Sequence, residues 1–248
     1  MRIRESVYWR ECDDLLIILD MQSGSYFALG PPADQVWKDL ASSPKDGQPA
    51  PHPDRIGGAE DAFRALTLRT LQERGLIESD EPSGSVRATK SKLIRKIFRY
   101  LATGGPSQTP IATGRWDKAL LLAQAYFLLI LIDIGLWRLG LNGLFMELVR
   151  ASSESKAELP SASNTNDEID WLCEISLAAF RWYRPGIACI HRALNIFLLL
   201  RRHGVPVEFC VGIEPRPFES HAWTECQGRV LGDSRAFCNG FRVIARIA

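Results

Sequence analysis

The chain has 248 residues, too long for one ordinary domain of about 100–150 residues and comfortable for two. Its 46% hydrophobic and 24% charged content, with seven Trp and eleven Phe, excludes a disordered or collagen-like polymer. Thirty Lys and Arg stand against 29 Asp and Glu, a net charge of +1, so no global field points to nucleic acid or to an acidic substrate. The opening stretch Met1–Ser6 carries no apolar signal segment, which makes the cytoplasm the expected location, and Cys12, Cys173, Cys189, Cys210, Cys226 and Cys238 are read as free thiols. There is no Cys-x-x-Cys pair, and no second ligand pair joins Cys189 and His191 at zinc spacing, so no metal is expected.

The first 80 residues alternate short apolar runs with turn signals. Ser6–Cys12, Leu15–Asp20 and Ser25–Leu29 read as three strands of a meander, with Met21-Gln-Ser-Gly24 as the second turn. Gly30-Pro31-Pro32 ends the meander and leads into a short helix over Ala33–Leu40. Ser42–Gly58 reads as loop, and Glu60–Arg74 as a helix closed by Gly75. The first module ends near Asp80.

Residues 81–114 read as a polar linker interrupted by a basic amphipathic helix. In it Leu93, Ile94, Ile97, Phe98 and Leu101 share one face, and Lys92, Arg95, Lys96 and Arg99 share the other. That helix either lies on the second module with its basic side solvated or contacts a membrane surface or a partner. Ala119–Ile132 is an apolar run broken only by Gln124, followed by Asp133 and Arg138. It falls short of the about 20 residues that a span needs, so a buried helix is expected in place of membrane contact. Ala151–Asp167 reads as loop, Ile169–Trp182 as helix, and Arg184-Pro185-Gly186 as the break after it.

The chemistry lies in the last eighty residues. Cys189–Arg202 patterns as a helix with basic residues at its end, so Cys189 opens a helix, where unpaired N–H groups and the dipole stabilise a thiolate. Strands are expected over Val207–Ile213, His221–Glu225 and Arg229–Asp233. A cysteine nucleophile needs a base and a group to orient that base, and His221 and Asp233 are the candidates. A two-residue Gln227-Gly228 turn would pair Ala222 with Asp233 and put His221 on the other face. A three-residue loop Cys226-Gln227-Gly228, with Gly at a bulge position, pairs Glu225 with Arg229 and His221 with Asp233, and it is the expected loop.

These residues carry a resemblance. The stretch Cys189-Ile-His-Arg192, with Leu198–Gly204, Phe209–Ile213, Pro217-Phe-Glu-Ser-His-Ala-Trp-Thr-Glu225, Gly228–Leu231 and Asp233, resembles the C-terminal domain of the lasso-peptide B proteins, the microcin-processing leader peptidases. The likeness covers roughly residues 115–248 and implies a transglutaminase-like, papain-related helix and antiparallel-sheet domain with Cys189, His221 and Asp233 as its triad. Thr224 and Ser220 depart from the small or apolar residues expected of that pattern. Gly24–Leu29 followed by Pro31-Pro-Ala33 and Trp37 is similar to the PqqD-like precursor-recognition domain, a winged-helix-like module of three strands and three helices that binds a leader peptide along its third strand.

Together the two likenesses imply an α+β chain. Residues 1–80 would recognise a leader peptide and residues 115–248 would cut it from a lasso-peptide precursor. The resemblance further implies no organic cofactor and a separate asparagine-synthetase-like cyclase as partner. Ser25, Tyr26, Phe27 and Ala28 form the expected binding edge through their backbone, since alternation puts Tyr26 and Phe27 on opposite faces. Trp223, two residues from His221, either walls the substrate channel or packs in the sheet. His52, His191 and His203 read as structural or exposed, and Cys173, Cys210, Cys226 and Cys238 as bystanders. A thiol acyltransferase with the same triad, and a leader-binding adaptor, are the alternatives in other classes.

Overall fold

A computed structural model describes residues 1–4, 6–20, 23–42, 59–78, 92–102, 115–154, 165–183 and 189–248. The turn residues Met21 and Gln22, the loop expected over 43–58, most of the expected linker, the loop at 155–164 and the Arg184-Pro185-Gly186 break lie outside the described residues. The fold is α+β, in two compact units, Met1–Ala88 and Thr89–Ala248.

In the first unit β2 (Val7–Cys12), β3 (Leu15–Asp20) and β4 (Ser25–Leu29) form an antiparallel meander in the order β2-β3-β4. The β3–β4 turn follows from Asp20, whose carboxylate accepts from Ser23 N–H at 3.2 Å while its carbonyl accepts from Gly24 N–H at 2.8 Å. The helices α1 (Ala33–Ser42) and α2 (Ala59–Glu73) cover the sheet, and the core gathers Val7, Leu16, Ile18, Trp37, Leu71, Leu76 and Ile77. A second, two-stranded pairing, absent from the sequence reading, joins β1 (Arg2–Ile3) to β5 (Ile77–Glu78). Arg4 Nε on Glu78 at 3.1 Å reinforces it. Among the described residues this unit holds two helices, where the likeness implies three.

The second unit begins earlier than expected. The amphipathic helix α3 (Lys92–Ala102), read as part of a linker, packs against α4 (Arg115–Glu154) inside this unit. Its basic side is not simply solvated: Arg95 and Arg99 reach Glu147 at 3.7 and 3.3 Å, Arg150 adds a contact at 3.2 Å, and the Glu147 side chain is 1% exposed. A buried carboxylate survives because three cations surround it. Backbone at Gly140 (φ 68°, ψ 173°) breaks α4 into two helical stretches. The expected buried helix is buried on one face only. Leu121, Ala125, Leu128, Leu129 and Ile132 are covered, whereas Leu120, Phe127, Ile130, Ile134 and Trp137 are exposed. Asp117–Gly140 is long and apolar enough, by length and composition, to cross a membrane, which the shorter run to Ile132 did not suggest.

Helix α5 (Asn166–Tyr183) starts at a reciprocal capping box: Thr165 N–H donates to Glu168 Oε2 at 2.8 Å, and Glu168 N–H donates to Thr165 Oγ1 at 3.3 Å. Helix α6 (Cys189–Arg202) is the hub, buried from Ala193 to Arg201. Asn195 Nδ2 donates to Ser176 Oγ of α5 at 2.8 Å, and Phe197 meets Phe209 edge-on at 6.0 Å. An antiparallel sheet in the order β8-β7-β6-β9 lies against α6. It is built from β6 (Glu208–Pro215), β7 (Phe218–Cys226), β8 (Arg229–Leu231) and β9 (Arg242–Ile247), with α7 (Arg235–Cys238) between the last two. Thr224 Oγ1 donates to the Ala193 carbonyl at 2.8 Å and fixes β7 on α6. Neither α7 nor β9 was read from the sequence.

Candidate active site

Cys189 is the first residue of α6, and the N–H groups of a helix's first turn have no partner within the helix. The side chain is part-exposed. Burial by itself would push its thiol up, but the hydrogen bond and charge of His221, with the N–H groups of Ala222 and Ile190, outweigh burial and bring it below the usual thiol value. The other thiols behave in the opposite way. Burial, reinforced by neighbouring carboxylates, pushes Cys173 to about 11, Cys210 to about 12 and Cys238 to about 11.

His221 sits in β7 opposite Gly212 of β6 and is 8% exposed. Rings close around its imidazole: Phe237 edge-on at 5.0 Å, Phe241 at 5.2 Å and Trp223 stacked at 6.0 Å. Nε2 lies 2.8 Å from Asp233 Oδ2, which leaves Nδ1 for the thiol. His221 is raised above the ordinary histidine value. The Cys189 hydrogen bond contributes most, burial opposes it, and the Asp233 hydrogen bond adds to the rise.

Asp233 follows β8. The structure corrects the loop on which the sequence argument rested: Cys226 pairs with Arg229 and Glu225 with Val230, so Gln227-Gly228 is a two-residue turn with both residues at positive φ (50° and 76°). Continued in register, that ladder would set Asp233 opposite Ala222. It does not continue. Strand β8 ends at Leu231, and Gly232 takes φ 66°, which turns the chain so that Asp233 reaches His221 from outside the sheet. A Cβ at Gly232 would stand 2.3 Å from Ile196 Cδ1 and 3.4 Å from both Cys173 Sγ and Leu177 Cδ2, so the turn is pressed onto α5 and α6. Asp233 Oδ1 accepts from Ser234 N–H at 2.8 Å, and Ser234 caps α7, the helix that carries Phe237 onto the imidazole.

Arg192, quoted only as part of a sequence likeness, donates to the same Oδ2. Its signal was legible. Residues three apart on a helix share a face, so Arg192 follows Cys189 toward whatever that cysteine faces. Phe237 and Phe241 were missed because α7 was missed. His191, read as structural or exposed, has a partner: its Nε2 lies 3.0 Å from Asp133 Oδ1, and Tyr183 donates to the other oxygen of the same carboxylate. One carboxylate of α4 thus ties the end of α5 to the start of α6.

Trp223 does not wall a channel. It is 2% exposed, lies in the sheet core with Cys210 and Cys238, and donates through Nε1 to Glu225 Oε1 at 2.7 Å. In the first unit, Ser25, Tyr26 and Phe27 are half-buried and Ala28 is exposed. Strand β4 pairs with β3 alone among the described residues, but the Phe27 side chain packs on the core with Arg74 5.5 Å over its ring. An apolar hollow of about 480 Å³ between α4 and α5, lined by Tyr126, Phe127, Ile130 and Trp182, contains none of Cys189, His221 or Asp233.

His221, Asp233 and Cys238 bring three donor atoms within 4.8 Å of one another. They do not make a metal centre. Arg192 already supplies the cation at Asp233 Oδ2, and the thiol of Cys238 is held protonated. What the arrangement offers is a thiol of lowered pKa, a histidine whose hydrogen bond and charge lower it, and a carboxylate on Nε2 of that histidine.

Residues 128–246 match the family model of the transglutaminase-like superfamily. No curated protein and no solved structure matches the chain.

Proposed function

We propose that this protein is a cysteine peptidase that removes the leader from a ribosomally made lasso-peptide precursor. The observation that carries the reading is the convergence of Cys189, His221 and Asp233, each from a different segment, with the thiol lowered and the imidazole raised. The thiolate of Cys189 attacks the carbonyl carbon before the cut. The N–H groups at the start of α6 stabilise the oxyanion, and His221 hands its proton to the departing amine as the C–N bond breaks. His221 then takes a proton from water, which opens the thioester and frees the leader. Asp233 orients the imidazole throughout.

Recognition is assigned to the first unit, where the PqqD-like pattern of Ser25–Leu29 and the place of β4 at the end of the strand order β2-β3-β4 support strand addition by the leader. Such binding depends on the β4 backbone, because Phe27 is engaged in the core. The resemblance adds an asparagine-synthetase-like cyclase as the partner that takes the freed core.

The test is incubation with a cognate precursor, read by mass spectrometry, for the parent and for Cys189→Ala. The expected products are a leader with a free carboxylate and a core with a free amine, formed by the parent alone. An amide of the leader with an added amine would assign an acyltransferase instead, and leader binding without any product would assign an adaptor. Leaders N-methylated at alternate backbone amides should lose about tenfold in affinity at the positions that pair with β4. Unchanged affinity at every position would remove the strand-addition mode.

A further inference from the structure

Asp233 Oδ2 serves two donors, Nε2 of His221 and the guanidinium of Arg192. Its Oδ1 is held independently by Ser234 N–H at 2.8 Å, and Gly232 fixes the chain just before it. Arg192 stands on α6 in the same turn as Cys189, so one helix delivers both the thiol and the cation that meets the triad's carboxylate. The pair is largely shielded from water, with side-chain exposures of 27% for Arg192 and 11% for Asp233. A charge-assisted hydrogen bond in such surroundings is strong.

We propose that Arg192 is a positioning residue of the site, which divides Asp233 Oδ2 between itself and His221 and thereby limits how tightly the carboxylate holds the imidazolium. The proposal rests on reading Cys189, His221 and Asp233 as a triad. The carboxylate has tethers of its own, so Arg192 is not needed to keep Asp233 in place. What it contributes is charge. Without it, the full negative charge of Oδ2 falls to His221, the imidazolium becomes a weaker acid, and transfer of its proton to the leaving amine slows.

Among the described residues, the titratable and charged groups around His221 and Asp233 are Cys189 and Arg192 from α6 and Cys238 from α7. Cys173 of α5 lies against the Gly232 turn, and Glu225, further along β7, is neutralised by Arg246 at 2.7 Å. Cys173 and Cys238 stay protonated at working pH, which among the described residues around the pair leaves Arg192 as the charge that opposes the pull of Asp233 on His221.

The test is the rate of Cys189 carbamidomethylation by iodoacetamide against pH, read by peptide mass spectrometry. It needs no substrate. The upper step of that profile marks loss of the imidazolium proton beside the thiolate. In Arg192→Met the upper step should move to higher pH by about one unit, with precursor cleavage near neutral pH falling about tenfold. Arg192→Lys should restore the step, and Asp233→Asn should move it the other way. Circular dichroism melts establish that each variant is folded.

An Arg192→Met profile superimposable on the parent's overturns the proposal. So does a downward shift like that of Asp233→Asn, which would make Arg192 a mere tether. Failure of the triad reading would look different: His221→Ala would then leave the parent's labelling profile unchanged.

Discussion

Asp233 meets His221 without being its partner in the sheet. The ladder between β7 and β8 runs from Cys226 opposite Arg229 to Thr224 opposite Leu231 and stops there, yet Asp233 Oδ2 is 2.8 Å from His221 Nε2. The contact is made by the left-handed turn at Gly232 and not by strand register. The position of the Asp233 carboxylate is therefore controlled by how that turn packs on α5 and α6.

Gly232→Ala tests this directly. The new methyl group meets Ile196 Cδ1 at 2.3 Å, and the backbone stays at a φ of 66° that L side chains rarely adopt. A loss of about 2 kcal/mol in denaturant unfolding is expected, together with slower cleavage as Asp233 swings off the imidazole. A variant with parental stability and parental rate would mean that the turn does not set the carboxylate.

Labelling should separate the six thiols. At pH 7.5 iodoacetamide should modify Cys189 ahead of Cys173, Cys210 and Cys238, whose thiols lie at about 11, 12 and 11. The sign follows from the shifts: a lowered thiol pKa leaves Cys189 a larger thiolate fraction at that pH, and a raised imidazole pKa keeps the neighbouring imidazolium to higher pH. His221→Ala removes the largest favourable influence on the thiol and should move Cys189 labelling to higher pH. Equal labelling of all six thiols in the folded protein would contradict the site.

The turn makes a separate prediction, independent of catalysis. Gln227 occupies the first central position of a two-residue hairpin turn at φ 50°, where Asn or Gly is favoured. Gln227→Asn should stabilise the protein by about 0.5 kcal/mol in urea unfolding while leaving cleavage unchanged, because Asp233 is not held through this hairpin. Lowered stability would show that the turn is not of this type.

Much of the chain was legible from local pattern. The bounds of β3 and β4, the start of α1, the helix from Cys189 to Arg202 and the existence of β6 to β8 follow from apolar periodicity and turn residues. The Thr165–Glu168 capping box shows that the start of α5 was legible too, three residues earlier than apolar periodicity placed it. Such signals are local because the hydrogen bonds that make them span only a few residues.

The sequence by itself determined that Cys189 opens a helix and that His221 and Asp233 lie in the strand region behind it. It could not determine how they meet. Gly228 suits both a two-residue turn and a three-residue bulged loop, and the choice inverts which face every later residue of the strand occupies. That choice, the early end of β8, the Gly232 turn and the aromatic rings around His221 were decided by tertiary packing, in the contact of Gly232 with Ile196, Cys173 and Leu177 and in the placing of Phe237 by α7. The same holds for Glu147, whose burial among Arg95, Arg99 and Arg150 draws α3 into the second unit. Each depends on surfaces brought together from distant parts of the chain, and no local propensity encodes which surfaces those will be.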